Sequence, residues 1–293
     1  MQRPVNGFED RGLHRQTRTL IGICCGNSSR LGVYAAAVTE SDLKFELERA
    51  ITENELVLHY QPRVLVRTLE LRGVEALVRW RHPVRGIVPP AEFVVAAERS
   101  GLMHDLDAWV IREALLQAAV WRRDDLRIGM SVNVTPSLLG DETFLRLIER
   151  TLNIQGDPTT LTFEVAAAAL VGTDPPLAGL ARLRERGARL ALDDVTTIPL
   201  LDAGAFIQWT YVKLGRSLIT GLARDDASGL LVRALVARAT ELGSRIVAVG
   251  VETEAAVALL RETDAYLAQG YLFSPPLGVK ELAAWSAGRE PRA

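Results

Sequence analysis

Side chains able to bind metal or handle protons recur at the ends of apolar, strand-like runs in this sequence: Glu75, Asn133, Glu164, the pair Asp193-Asp194, Lys213, Glu252 and Gln269. Carboxylates and amide oxygens are hard donors, so the set suits Mg2+ or Mn2+ rather than Zn2+, and no Cys or His is placed to change that. Adjacent carboxylates at Asp193-Asp194 are able to lodge one group between two cations about 3.5–4 Å apart, the spacing of two-metal phosphoester hydrolysis. Lysine occurs only at Lys44, Lys213 and Lys280, which makes one inside an apolar strand conspicuous. The Lys213 ammonium would position a water or hydroxide, or neutralise phosphate charge. Each residue alone reads as a helix cap or an interstrand ion pair. Their recurrence at successive strand ends favours a shared site.

Such a site needs elements that gather the strand ends. Apolar runs predict strands over 55–62, 68–79, 127–134, 159–165, 190–195, 210–214, 245–251 and 266–272. Helical spacing falls over 90–100, 105–121, 137–152, 176–187, 228–242, 254–261 and 279–286, with a further helix start at Ser41 or Asp42. Alternating strand and helix with uniformly apolar strands makes a buried, mainly parallel sheet. Eight strands in about 240 residues fit an α/β fold of the (β/α)8 TIM-like barrel type, whose site lies at the C-terminal strand ends. Only a short turn separates the first two strands, so the first is expected to run antiparallel. The barrel is expected over 41–288, with an unassigned or partly disordered segment over 1–40 and a tail over 289–293.

Composition excludes several classes. A formal net charge of −2 over 293 residues gives no basic surface for nucleic acid. Cys24 and Cys25, adjacent and the only cysteines, support neither a disulfide framework nor a four-cysteine zinc site. The apolar run over 20–26 is far short of the roughly 20 residues a membrane span needs, and carries no cleavage pattern. The chain therefore reads as cytoplasmic, with neither nucleic-acid nor membrane partners.

Specific strings go further: Tyr60-Gln61-Pro62, Glu75-Ala76-Leu77 with Arg79-Trp80 and His82-Pro83, Pro90-Ala91-Glu92-Phe93, Asn133-Val134-Thr135, Glu164-Val165, Asp193-Asp194, Lys213, Gly250-Val251-Glu252-Thr253, and Gln269-Gly270-Tyr271 running to Pro275. In this order, from about Asp42 to Gly288, they resemble the EAL domain, the cyclic di-GMP phosphodiesterase family. The resemblance implies that Glu75, Asn133, Glu164 and Asp193 ligate one metal, and Asp193 with Asp194 a second. It makes Lys213 and Glu252 the catalytic candidates, Lys213 being similar to the lysine that aids the attacking water. Gln61, Leu77, Arg79 and Gln269 resemble residues that hold the dinucleotide.

The departures from that family pattern cluster. A glutamate of the second metal site is Val249 here, and an isopropyl group ligates nothing. The two glycines of the loop after the paired aspartates are Thr196 and Ile198, β-branched residues that resist positive φ, and Pro199 follows. The acidic residue that braces this loop is Ala167, and another family carboxylate is Gly215. One Mg2+ or Mn2+ site is thus expected, and the second is in doubt. The reading is a protein that binds cyclic di-GMP with impaired or absent hydrolysis. An active phosphodiesterase releasing the linear dinucleotide, and a protein-interaction domain without nucleotide, stay open, as do a protein partner and a homodimer.

Overall fold

Alternation in the first two predicted strands is realised as a long antiparallel hairpin. β1 (Leu56–Leu65) pairs with β2 (Leu71–His82), setting Gln61 opposite Glu75 and Arg63 opposite Gly73. β2 continues to His82 because its last residues pair with β3 (Gly86–Val88), a short strand that the apolar pattern does not announce. Trp80, fully buried, donates its indole N–H to Glu55 Oε2 at 3.0 Å and meets Phe93 edge-on at 5.9 Å. That contact ties β2 to α2 (Pro90–Ser100).

The computed structural model describes residues 40–155, 161–171, 175–222 and 226–288, so the N-terminal segment up to residue 39 and the tail lie outside the described residues. After β2, successive parallel pairs run through β4 (Gly129–Asn133), β5 (Leu161–Ala166), β6 (Arg189–Val195), β7 (Tyr211–Leu214), β8 (Arg245–Val249) and β9 (Leu267–Gln269). β9 then pairs antiparallel with β1, and the sheet closes. The result is the expected barrel with an antiparallel first strand, β3 lying outside its ring.

Helices cover the outside: α1 (Glu40–Thr52), α2, α3 (Met103–Arg123), α4 (Glu142–Gln155), α5 (Leu177–Glu185), α6 (Ile198–Ala203), α7 (Arg216–Gly221), α8 (Asp226–Glu241), α9 (Glu254–Arg261) and α10 (Val279–Ala287). Strand residues such as Met130, Phe163, Leu190, Val212 and Ile246 are buried, which is why these strands read as uninterrupted apolar runs. Neither α6 nor α7 is legible as a helix, since six residues hold too little periodicity. α6 starts where it does because Thr197 Oγ1 accepts the Leu200 N–H at 3.4 Å and Pro199 occupies the first turn.

β8 stops two residues earlier than the apolar run predicts. Gly250 turns the chain at φ 81°, and the N–H groups of Gly250 and Val251 both donate to the Gln269 carbonyl, at 2.8 and 3.0 Å. β9 is cut short at the same crossing, where a Cβ on Gly270 would stand 2.0 Å from the Val251 carbonyl oxygen.

Candidate active site

Register places the candidate residues side by side at the barrel mouth. Gln61 and Glu75 are cross-strand partners, as are Asn133 and Glu164, and Val249 and Gln269. Period-2 alternation along β2 turns Glu75, Leu77 and Arg79 to one side.

Lys213 is the hub. Buried on β7, its Nζ contacts Glu164 Oε2 closely, Asp193 Oδ1 at 3.1 Å and Glu75 Oε2 at 3.3 Å. Burial opposes its charge, but Asp193, Glu164 and Glu75 outweigh that and raise its pKa above the ordinary lysine value. Lys213 is thus set as a cation among the three carboxylates.

Glu75 accepts from Asn133 Nδ2 at 2.9 Å and from Gln269 Nε2 at 2.7 Å. Burial alone would push its pKa up, but Lys213, the two amide donors and Arg63 prevail and hold it at about 2. Gln269 Nε2 also donates to Gln61 Oε1 at 2.8 Å, and Gln61 Nε2 to the Ser274 carbonyl at 3.3 Å. Glu164 is deeper. Burial and the nearby Glu75 charge, with Asp193, push its pKa up to about 7 against the pull of Lys213 and Arg63.

Asp194 adopts a left-handed backbone at φ 55°, a conformation aspartate tolerates better than most residues, and its N–H donates to Asp193 Oδ1 at 2.9 Å. Burial, then the Asp193 charge, raises its pKa. Thr196 and Ile198 are both absent from the positive-φ residues, and Ile198 opens α6. The β-branched run thus follows a path of its own after the paired aspartates, with the one left-handed residue moved onto Asp194.

Two clefts flank Asp193 and Asp194 and share Leu77. One is lined by Arg79, Asp107, Asn133, Thr135 and Glu164. The other, of 300 Å³, is lined by Gln61, Glu75, Lys213, Arg216, Val249 and Gln269 among others. Every predicted site residue touches one of the two. Glu252 stands at the exposed rim, ion-paired to Arg216 at 2.5 Å, away from the buried cluster.

Glu75, Asn133, Glu164 and Asp193 form an oxygen-donor set whose chemistry fits Mg2+ or Mn2+. In the arrangement described, Lys213 Nζ takes the cation position among the three carboxylates. Among the described residues no group of His, Cys, Asp and Glu stands as a ready metal cage.

Two buried residues near the site escaped the sequence. Arg63 is buried within the barrel, its Nη1 3.4 Å from Glu164 Oε1. Its signal was there: it lies two residues after Gln61, on the same side of β1. Asp107, buried in α3, accepts the Thr135 N–H at 2.7 Å, and an isolated aspartate in an apolar helical run was the available sign.

The chain is 35% identical over 253 residues to the cyclic di-GMP phosphodiesterase PA2567 of Pseudomonas aeruginosa, covering 82% of this chain and 41% of that protein. It is 33% identical over 248 residues to the cyclic di-GMP phosphodiesterase PdeR of Escherichia coli, covering 83% of this chain and 37% of that protein. The chain thus spans well under half the length of either. A solved structure described as the PaMucR phosphodiesterase in complex with c-di-GMP superposes with a TM-score of 0.74 at 31% identity, covering 82% of this chain and 99% of that one. The EAL domain model matches residues 45–276, a span that takes in every strand from β1 to β9, and the chain belongs to the EAL domain family.

Proposed function

We propose that this domain binds cyclic di-GMP across the two clefts at the barrel mouth and hydrolyses it slowly or not at all. The observation that carries the reading is the mixed state of the mouth. Arg79 and the Gln61–Gln269 pair line the clefts on either side of Asp193-Asp194, while Val249 stands on the wall of the second cleft. Leu77, shared by both clefts, is the apolar surface between them.

Glu75, Asn133, Glu164 and Asp193 would hold one Mg2+ or Mn2+, and Asp193 with Asp194 would hold a second only weakly, since Val249 offers no oxygen. A bound ion supplies Lewis-acid polarisation of the phosphoryl group and acidifies a coordinated water. The Lys213 ammonium would stabilise negative charge developing beside Glu75 and Asp193 and help orient the attacking water. Arg79 pairs with a phosphate, and Glu252 fixes Arg216 over the second cleft.

The test is calorimetric titration of cyclic di-GMP with and without Mg2+ or Mn2+, with the mixture assayed for linear dinucleotide. Binding that depends little on metal, with slow or no turnover, supports the proposal. Arg79→Ala should weaken binding by about 1.5–3 kcal/mol, the worth of a hydrogen bond to a charged group. Brisk hydrolysis identifies a working phosphodiesterase, as the named relatives are. Absence of binding at high micromolar nucleotide leaves a protein-interaction domain.

A further inference from the structure

Both oxygens of Glu164 already face a buried cation. Its Oε2 is held by Lys213 and its Oε1 faces Arg63 Nη1 at 3.4 Å, and both cationic side chains are almost wholly buried. Arg63 comes from β1 and Glu164 from β5, so the arginine reaches across the barrel interior to make this contact. The slot it lies in is shaped for it. Its cross-strand partner is Gly73, where a Cβ would stand 3.3 Å from Arg63 Nη2 and 2.7 Å from the Gly129 carbonyl oxygen. Nη2 donates to the Val74 carbonyl at 3.0 Å, while Nε finds no partner among the described residues.

We infer that Arg63 is a resident counter-cation of the metal site, holding Glu164 from beneath and setting the affinity for a divalent ion low. The inference rests on the reading of Glu75, Asn133, Glu164 and Asp193 as the metal's ligands, and it adds a cause of weak hydrolysis independent of Val249. Three carboxylates, Glu75, Glu164 and Asp193, are met by two internal cations, Lys213 and Arg63. With all three carboxylates ionised, as metal ligation requires, counting Arg63 leaves the cluster one net negative charge instead of two. An ion that draws Glu164 away must leave a guanidinium unpaired in a dry interior, a costly state. An ion that shares Glu164 with Arg63 receives a carboxylate whose charge is already partly spent, beside a repelling like charge. Either route weakens binding. The same closure lets the mouth keep its shape without metal.

The experiment uses the full chain and Mn2+ alone as probe, read by calorimetry and by the shift in thermal unfolding midpoint. Arg63→Met should bind Mn2+ at least about tenfold more tightly than the parent, the effect expected of removing a unit charge close to the ion. It should also show a larger Mn2+-induced rise in midpoint. Arg63→Lys, which keeps the charge, should stay within about threefold of the parent on the same electrostatic ground. Should Arg63→Met fail to fold, Arg63→Gln retains hydrogen-bonding groups without the charge and should tighten Mn2+ binding in the same direction. Folded Met or Gln variants that bind Mn2+ no more tightly than the parent overturn the inference. Mn2+ binding that Glu75→Gln leaves untouched, or no binding in any variant, instead overturns the reading of these residues as a metal site.

Discussion

Thr196 and Gly215 compete for one volume: a Cβ on Gly215 would stand 2.6 Å from Thr196 Cγ2 and 2.5 Å from Asp194 Oδ1. Departures that look separate in the sequence are therefore one adjustment in space. The side chain present at 196 is accommodated by the side chain absent at 215, and Asp194 is wedged beside both. Gly215→Asp alone should destabilise by about 1–3 kcal/mol, the cost of overpacking a closed space. Combining it with Thr196→Gly should recover part of that loss, so the double variant should be more stable than the sum of the two single effects. Urea unfolding of the four proteins measures this directly. Simple additivity would mean that the two positions do not share the space.

The barrel was legible because its strands are covered by helices and so run apolar from end to end, and because polar residues interrupt them only at one end. The antiparallel start was legible from the short turn between 62 and 68. What the sequence hid depends on contacts between distant strands. Arg63 shares its side of β1 with Gln61, but its reach to Glu164 across the interior exists only once the barrel has closed. The loop after Asp194 was read as a damaged glycine loop, yet Thr197 and Pro199 had already written a helix start there. Glu252, one of the strand-end set, is set apart at the rim by the turn at Gly250, whose φ of 81° no strand pattern encodes.

Lys213 holds three carboxylates, so its loss should be severe. Lys213→Met leaves Glu75, Glu164 and Asp193 facing one another in the interior with only Arg63 beside them. Removing one partner of a buried ion pair costs about 3–5 kcal/mol, and this partner serves three. The loss should shrink as pH is lowered from 8 to 5, because protonating Glu164, already pushed up to about 7, relieves the repulsion. Mn2+ should stabilise the variant more than the parent, since an ion would take the vacated place. Denaturant unfolding across that pH range, with and without Mn2+, checks each statement. A variant as stable as the parent at pH 8 would remove Lys213 from the centre of the cluster.

Asp107 provides a pH signature clear of the ligand set. Burial pushes its pKa from the ordinary 3.8 up to about 6, and the Thr135 N–H offsets only part of that. The folded state consequently holds a proton that the unfolded chain releases. Between pH 3.8 and about 6 the native state binds more protons than the unfolded state, so this group's contribution to stability falls as pH rises through that window. Above it the full penalty persists, on the order of 3 kcal/mol. Asp107→Asn, whose amide oxygen still accepts from Thr135, should abolish the penalty. Relative to the parent it should gain stability at pH 7 and lose the advantage near pH 4. Parallel unfolding curves at pH 4, 5, 6 and 7 measure the difference, and a constant gap across them would place the Asp107 pKa at its ordinary value.

Val249 is the position at which the proposed weakness of hydrolysis is best tested. It ends β8 opposite Gln269 and lines the cleft that also holds Glu75, Asp193, Asp194 and Lys213, so a carboxylate introduced there would join the acidic groups proposed to hold a second ion. Mg2+ prefers six oxygens in near-octahedral geometry, and with only Asp193 and Asp194 from the protein most of those places would fall to water and substrate. Val249→Glu should therefore lower stability without metal, by adding a third carboxylate to a crowded pair, and should enlarge the Mn2+-induced rise in midpoint. Turnover should rise, but modestly, because the Thr196 methyl and the Asp194 carboxylate still crowd the space beside Gly215. Adding Thr196→Gly and Ala167→Glu should raise it by more than the separate effects combined, as expected of residues that act as one unit. Ile198→Gly, by contrast, should cost stability, since Ile198 begins α6 and packs against the core. Release of linear dinucleotide in Mg2+ and in Mn2+ is the assay. Brisk release by the parent protein, abolished by Glu75→Ala, would show that Val249 is tolerated and that the second site needs no carboxylate there.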